Sequence, residues 1–157
     1  MPLFFLAGMP PETLAFGPKR AEESQLGRAA MKDPHFVLLY VDSPEKSSIF
    51  YAALLGRPPV EASKTFAMFA LSPGLMLGLW SRHTVVPAAA GGGGGAELAF
   101  TAGSVEEVRA VHADWLRLGL EVLQAPAALD FGFTFVAQDP DGHRLRVFAP
   151  GAVDAVP

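Results

Sequence analysis

Few side chains in this 157-residue chain could do chemistry. Its four histidines are His35, His83, His112 and His143, and no two of them stand at helical ligand spacing. Cysteine is absent, which excludes disulfides, thiolate nucleophiles and cysteine-bound zinc. Gly91 to Gly95 invites reading as a phosphate-cradling loop, but no Lys-Ser/Thr follows and no strand runs into a helix there. After Pro87-Ala88-Ala89-Ala90, that run is expected to be a flexible linker. His35 is expected at a strand start facing the surface. His83 is expected at a loop edge, on the face opposite Trp80 and Arg82. His112 should lie partly buried on a helix, and His143 solvated after a tight turn. What remains is Glu97, Arg144 and Arg146, set among aromatic residues.

Two of these sit on a hairpin around which the chain is organised. Phe133 to Gln138 and His143 to Phe148 are strand-forming runs flanking Asp139-Pro140-Asp141-Gly142. Pro140 presets φ for the turn, the aspartates can accept from nearby backbone N–H groups, and Gly142 tolerates positive φ. Alternation after the turn puts Leu145 and Val147 on one face and Arg144, Arg146 and Phe148 on the other. The first face is core; the second is a surface or a pocket wall.

The order of elements is repeated. His35 to Val41 reads as a strand covered on both faces. Ser43 caps a helix with Pro44 at its first position, and Ile49, Phe50, Ala53 and Leu54 form its apolar stripe. Gly56 stops it, and Pro58-Pro59 prevents continuation. Strands are expected at 60–63, 65–71 and 75–82. Beyond the linker, Glu97 to Thr101 is a strand. Ser104 and Glu107 form a capping box for a helix whose stripe is Val105, Val108, Val111, His112, Trp115 and Leu116, and Gly119 ends it. Strands follow at 120–124, 131–138 and 143–148. Strand, helix and three strands thus occur twice, with Ser43 matching Ser104 and Gly56 matching Gly119. The modules are expected at 35–83 and 96–149, within a domain spanning 31–152.

Composition sets limits. Half of the residues are apolar, enough for a large core, and the net charge of −4 argues against nucleic acid as a partner. No apolar run reaches membrane-span length, so no membrane partner is expected either. The lack of cysteine is compatible with a reducing, cytoplasmic setting. Residues 1–30 mix Pro, Gly, Glu, Lys and Arg behind a short apolar run without preceding basic residues. They are expected to be a poorly ordered extension and not a signal peptide, with Met31 a possible alternative start. Residues 153–157 are expected to be a tail.

Val41-Asp42-Ser43-Pro44, Phe50-Tyr51, Leu54-Leu55-Gly56 and Asp139-Pro140-Asp141-Gly142-His143-Arg144-Leu145-Arg146-Val147 carry a family likeness. On these motifs the chain resembles the vicinal oxygen chelate superfamily of glyoxalases, bleomycin-resistance proteins and extradiol dioxygenases, over residues 35–150. The resemblance implies an α+β fold in which two tandem βαβββ modules form a cupped, open-barrel mixed sheet with helices on the outer face, usually as a homodimer. Metal-dependent members place ligands on the first and last strand of each module. By offset these positions are Phe36 and Gly78, then Glu97 and Arg146. Of the four, Glu97 alone has a donor suited to a metal, and Arg146 brings a fixed positive charge. No metal or other cofactor is therefore expected.

Strand alternation extends this inward face to Phe36, Leu38 and Tyr40, to Met76, Gly78, Trp80 and Arg82, to Glu97, Ala99 and Thr101, and to Arg144, Arg146 and Phe148. Either Phe131, Phe133 and Phe135 or their alternates would join them. Phe36, Tyr40, Gly78, Trp80, Arg82, Glu97 and Arg146 are the expected ligand-binding residues. Trp80 and Tyr40 offer flat surfaces, Gly78 leaves room, and Glu97 could pair with Arg146 across the module boundary. The first reading is a metal-independent protein that binds a small aromatic or planar molecule. A metal-dependent glyoxalase-like lyase, isomerase or dioxygenase is the alternative. Metal-free catalysis with Glu97 as general base ranks last, because a guanidinium beside it makes it a weak base.

Overall fold

Ser43 starts the first helix as its spacing predicts. Its Oγ accepts from the Lys46 N–H, Pro44 occupies the first turn, and the helix closes on Gly56 at φ 65°. Ser104 repeats the device: its Oγ accepts from the Glu107 N–H while the Glu107 carboxylate accepts from the Gly103 N–H. The computed structural model describes residues 31–151, so the expectations for residues 1–30 and 153–157 lie outside the described residues.

Module one is β1 (Phe36–Val41), α1 (Pro44–Leu55), β2 (Glu61–Ala62), β3 (Phe66–Ala70) and β4 (Met76–Ser81). Module two is β5 (Glu97–Thr101), α2 (Val105–Arg117), β6 (Glu121–Leu129), β7 (Gly132–Gln138) and β8 (Arg144–Pro150). The two unclosed sheets run β1-β4-β3-β2 and β5-β8-β7-β6. Each pairs its first and last strands in parallel and its other neighbours antiparallel. The chain is thus the expected α+β fold of two βαβββ modules. Phe36 stands opposite Met76 and Glu97 opposite Arg144. The register is the same in both modules, so Phe36 relates to Gly78 as Glu97 does to Arg146.

Helix α1 packs on β3 and β4, and α2 on β6, β7 and β8. The sheet faces toward them hold Val41, Phe69, Leu77 and Leu79 in module one and Phe133, Phe135, Leu145 and Val147 in module two, all within 2% of full burial. Burying each such side chain is worth roughly 1.5–3 kcal/mol. This settles the open choice for β7: Phe133 and Phe135 are core, while Thr134 and Val136 share a face with Phe148 and Arg146.

Several expectations are corrected. Ile49 does not lie on the buried stripe of α1 but is 73% exposed; Pro44, Ser47, Ser48 and Tyr51 face inward instead. Inward hydroxyls are possible because each has a partner: Ser48 Oγ donates to the Glu45 carbonyl of its own helix at 2.8 Å, and module two supplies the other two. Tyr51 Oη donates to Asp139 Oδ2 at 2.7 Å and Ser47 Oγ to Asp141 Oδ2 at 3.3 Å. Leu116 likewise is half exposed, leaving Val105, Val108 and Trp115 as the buried face of α2. Strand β6 runs five residues past its expected end at Gln124, through Pro126 to Leu129. A proline is tolerated because β6 is an edge strand with register shifts on either side of Gln124. The glycine run is not a free tether, because a Cβ on Gly93 would collide with the backbone of Gly142 and His143.

The buried Asp139 carboxylate is held by three donors: Tyr51 Oη, the Asp141 N–H at 2.9 Å and the His143 N–H at 2.8 Å. Burial, and then the charge of Asp139, push the Tyr51 phenol well above its ordinary value, so it stays a donor. Replacing Tyr51 with Phe removes that donor and is expected to cost about 1–3 kcal/mol. Urea denaturation reads this, and an unchanged midpoint would contradict the assignment.

Candidate functional site

Alternation along the strands leaves each sheet with a second face, turned away from the core. In module one it carries Phe36, Leu38 and Tyr40 of β1, exposed to 40%, 42% and 41%, beside Phe66 and Trp80. Trp80 meets Phe66 edge to face at 6.3 Å between ring centroids. Gly78 does not leave room as expected. A Cβ there would meet Leu38 Cδ2 at 2.6 Å and Phe66 Cζ at 2.9 Å, so those side chains already fill the space above it. Arg82 lies past the end of β4, where its N–H donates to the Val41 carbonyl.

In module two the corresponding face is charged. Arg146 Nε donates to Glu97 Oε1 at 3.0 Å and Oε2 at 3.2 Å, and Arg146 Nη1 donates to Thr134 Oγ1 at 3.2 Å. The Arg146 side chain is 15% exposed and that of Glu97 34%. The expected ion pair is present, but it lies inside module two between neighbouring strands and not across the module boundary. Arg146 also sits over the Phe131 ring at 5.8 Å, and Phe131 meets Phe148 edge to face.

The expected residues therefore form two sets. Phe36, Tyr40 and Trp80 share the aromatic face, and Glu97 and Arg146 share the ionic one. Among the described residues no hydrogen bond, ion pair or ring contact joins one set to the other. The enclosed spaces lie elsewhere. A cleft of about 500 Å³ runs between α1 and α2, lined by Ala53, Leu54, Trp115 and Leu118. An apolar cavity of about 230 Å³ opens on the core side of β1 and β5, lined by Val37, Leu77, Leu98 and Phe100, with Glu97 at its edge.

The donor set does not fit a divalent ion. Phe36 and Gly78 have no side-chain donor, Arg146 is cationic, and both oxygens of Glu97 already accept from Arg146. Among the described residues no group of three or more His, Cys, Asp or Glu side chains is placed to hold a metal. The same pairing leaves Glu97 poorly placed to act as a base.

Histidine and aspartate do other work. His143, expected in solvent, shares a 3.0 Å hydrogen bond between its Nε2 and the Tyr40 carbonyl of module one. Asp141 accepts from the Asp42 N–H at 2.8 Å. His83 Nε2 meets Asp42 Oδ1 at 2.7 Å on the surface. His112 packs edge to face on Phe135, as a partly buried residue would. Sequence reading sees Asp139 and Asp141 as turn formers. It misses their partners because these lie 88 to 99 positions away.

Comparison with known proteins adds four findings. The model of the Glyoxalase/Bleomycin resistance protein/Dioxygenase superfamily matches residues 33–147. The phenazine antibiotic resistance protein EhpR of Enterobacter agglomerans is 28% identical over 117 residues, covering 73% of this chain and 89% of EhpR. A protein of Agrobacterium tumefaciens with a known solution structure is 53% identical, with a TM-score of 0.72 over 77% of this chain and 99% of that one. A glyoxalase/bleomycin resistance protein/dioxygenase from Nocardioides shares the fold at 24% identity and TM-score 0.68, covering 85% of this chain and 93% of that one. No helix among the described residues is long and apolar enough to cross a membrane.

The hydrogen bond with His83 is the largest influence on the Asp42 carboxyl and lowers its pKa from 3.8. The charges of His83, Arg82 and Lys46 add to this, and desolvation opposes it. A lowered folded value means that this contact stabilises the fold above pH 3.8 and is lost as pH falls through the lower folded value. NMR titration of the Asp42 carboxyl carbon should give a midpoint below 3.8, returning toward it in His83→Ala. Equal midpoints in the two proteins would contradict the contact.

Proposed function

The chain belongs to the glyoxalase/bleomycin resistance protein/dioxygenase superfamily, and from that premise we propose that it binds and sequesters a small planar aromatic molecule without using a metal. One observation carries this reading: the only carboxylate among the four positions where metal-using relatives place ligands is already taken up by Arg146. What the open faces offer instead is aromatic surface. Phe36, Tyr40 and Trp80 lie on one sheet face, each partly open to solvent. A flat apolar molecule stacking there would cover area that a folded chain ordinarily buries. The likeness to EhpR, whose name attaches it to resistance against a phenazine antibiotic, supports a ligand with fused aromatic rings.

The open face of module one is a broad surface and not an enclosed pocket, so a bound ligand needs an opposite wall. We propose that the protein is a homodimer and that a module-two face, of the same chain or of the second copy, supplies that wall. Covering Phe36, Leu38 and Tyr40 would remove a contiguous apolar strip from water.

Calorimetric titration with phenazine tests the reading. Trp80→Ala should weaken binding by roughly 1–2 kcal/mol, about tenfold or somewhat more, without changing the melting temperature by more than a few degrees. Unchanged affinity in a folded Trp80→Ala protein would remove Trp80 from the site. Sedimentation of the same samples should show dimers, and monomers at tens of micromolar would remove the second copy from the account.

A further inference from the structure

Arg146 is held more tightly than its neighbours require. Its Nε is fixed by Glu97 and its Nη1 by Thr134, whose own hydroxyl donates to the Val147 carbonyl at 2.8 Å. Among the described residues Nη2 makes no hydrogen bond. Among the described residues no unpartnered side-chain nitrogen or oxygen is buried, so Nη2 reaches solvent. A guanidinium on a side chain only 15% exposed, held at two nitrogens and with the third reaching solvent, is a preorganised donor.

Arg144 stands two residues earlier on the same face of β8, roughly 7 Å along the strand. It is exposed, and its side chain makes no hydrogen bond or ion pair among the described residues, although Glu97 is its cross-strand partner. Glu97 gives both its oxygens to Arg146. This patch of the open face therefore sets two guanidinium groups against one carboxylate and keeps a net positive charge. An uncharged aromatic molecule would make no use of it.

Building on the function proposed above, we propose that the ligand is a planar aromatic acid, its carboxylate received by Arg144 and by the outward nitrogen of Arg146. A carboxylate is matched to these groups in charge and in its capacity to accept several N–H bonds at once. Arg144 offsets the repulsion that Glu97 would otherwise exert on it. Arg146 itself lies over the Phe131 ring, which meets Phe148 edge to face.

The test compares phenazine with phenazine-1-carboxylate, which share a ring system and differ in the acid. Calorimetry at moderate salt on the wild-type protein, Arg144→Gln and Arg144→Lys reads the ratio of the two affinities. The wild type should prefer the acid by about tenfold, Arg144→Gln should reduce that preference to about threefold or less, and Arg144→Lys should keep most of it. Phenazine binding as tightly as its carboxylate, or a ratio unchanged in Arg144→Gln, overturns this inference and leaves the aromatic site standing. Failure of both compounds to bind the wild type overturns the inference and the proposed function together.

Discussion

A buried carboxylate must be satisfied, and Asp139 shows what that requires here. It is 3% exposed, and an unpaired charge at that depth would cost several kcal/mol. Two of its donors come from its own turn and the third from Tyr51 on the helix of the other module. Asp141 adds bonds to the Asp42 N–H and Ser47 Oγ, and His143 reaches the Tyr40 carbonyl. One tight turn therefore bonds with the end of β1 and with α1. Two of the hydroxyls that point inward from α1, those of Ser47 and Tyr51, find their partners in this turn. Gly93 belongs to the same arrangement, since the connecting segment passes against Gly142 with no space for a side chain.

With the modules fixed in this way, chemistry is left to the sheet faces turned away from the core. Strand alternation fills those faces, and the shared register of β1 with β4 and β5 with β8 makes corresponding positions comparable. Module one spends them on hydrocarbon and aromatic rings. Module two sets an acid and two guanidinium groups there, beside Thr134, Val136 and Phe148. The Glu97–Arg146 pair decides what such a face can hold. Were Glu97 free, it could serve a cation or a proton. With both oxygens sharing the Arg146 Nε–H, it orients Arg146 instead.

Much of the fold is legible in the sequence because its signals are local. Ser43, Pro44 and Gly56 mark a helix within a few residues of each other, as do Ser104 and Glu107. Alternation after Gly142 assigns Arg144 and Arg146 to one face and Leu145 and Val147 to the other. Where apolar residues sit on both faces, alternation loses its contrast. In β7, Phe133 and Phe135 compete with Val136, and only pairing with β8 reveals which are core. The stripe of α1 misleads because hydrophobicity ranks Ile49 above Ser47, whereas distant carboxylates help make the hydroxyl-bearing side the buried one. Gly78 misleads for a related reason. A missing side chain reads as space, but the space belongs to Leu38 and Phe66. Residue types name the members of the Glu97–Arg146 pair, yet its geometry, one N–H shared by two carboxylate oxygens, is a property of two strands brought together.

The Nε–H resonance of Arg146 reports most directly on whether this pair, and not a metal, organises the site. In a nitrogen–proton correlation spectrum that signal should be protected from exchange. It should keep its position when one equivalent of Zn²⁺ is added and should shift when phenazine-1-carboxylate is titrated in. Loss or displacement of the signal with stoichiometric Zn²⁺, and none with the aromatic acid, would mean that Glu97 leaves Arg146 to bind the ion, and the account would be wrong.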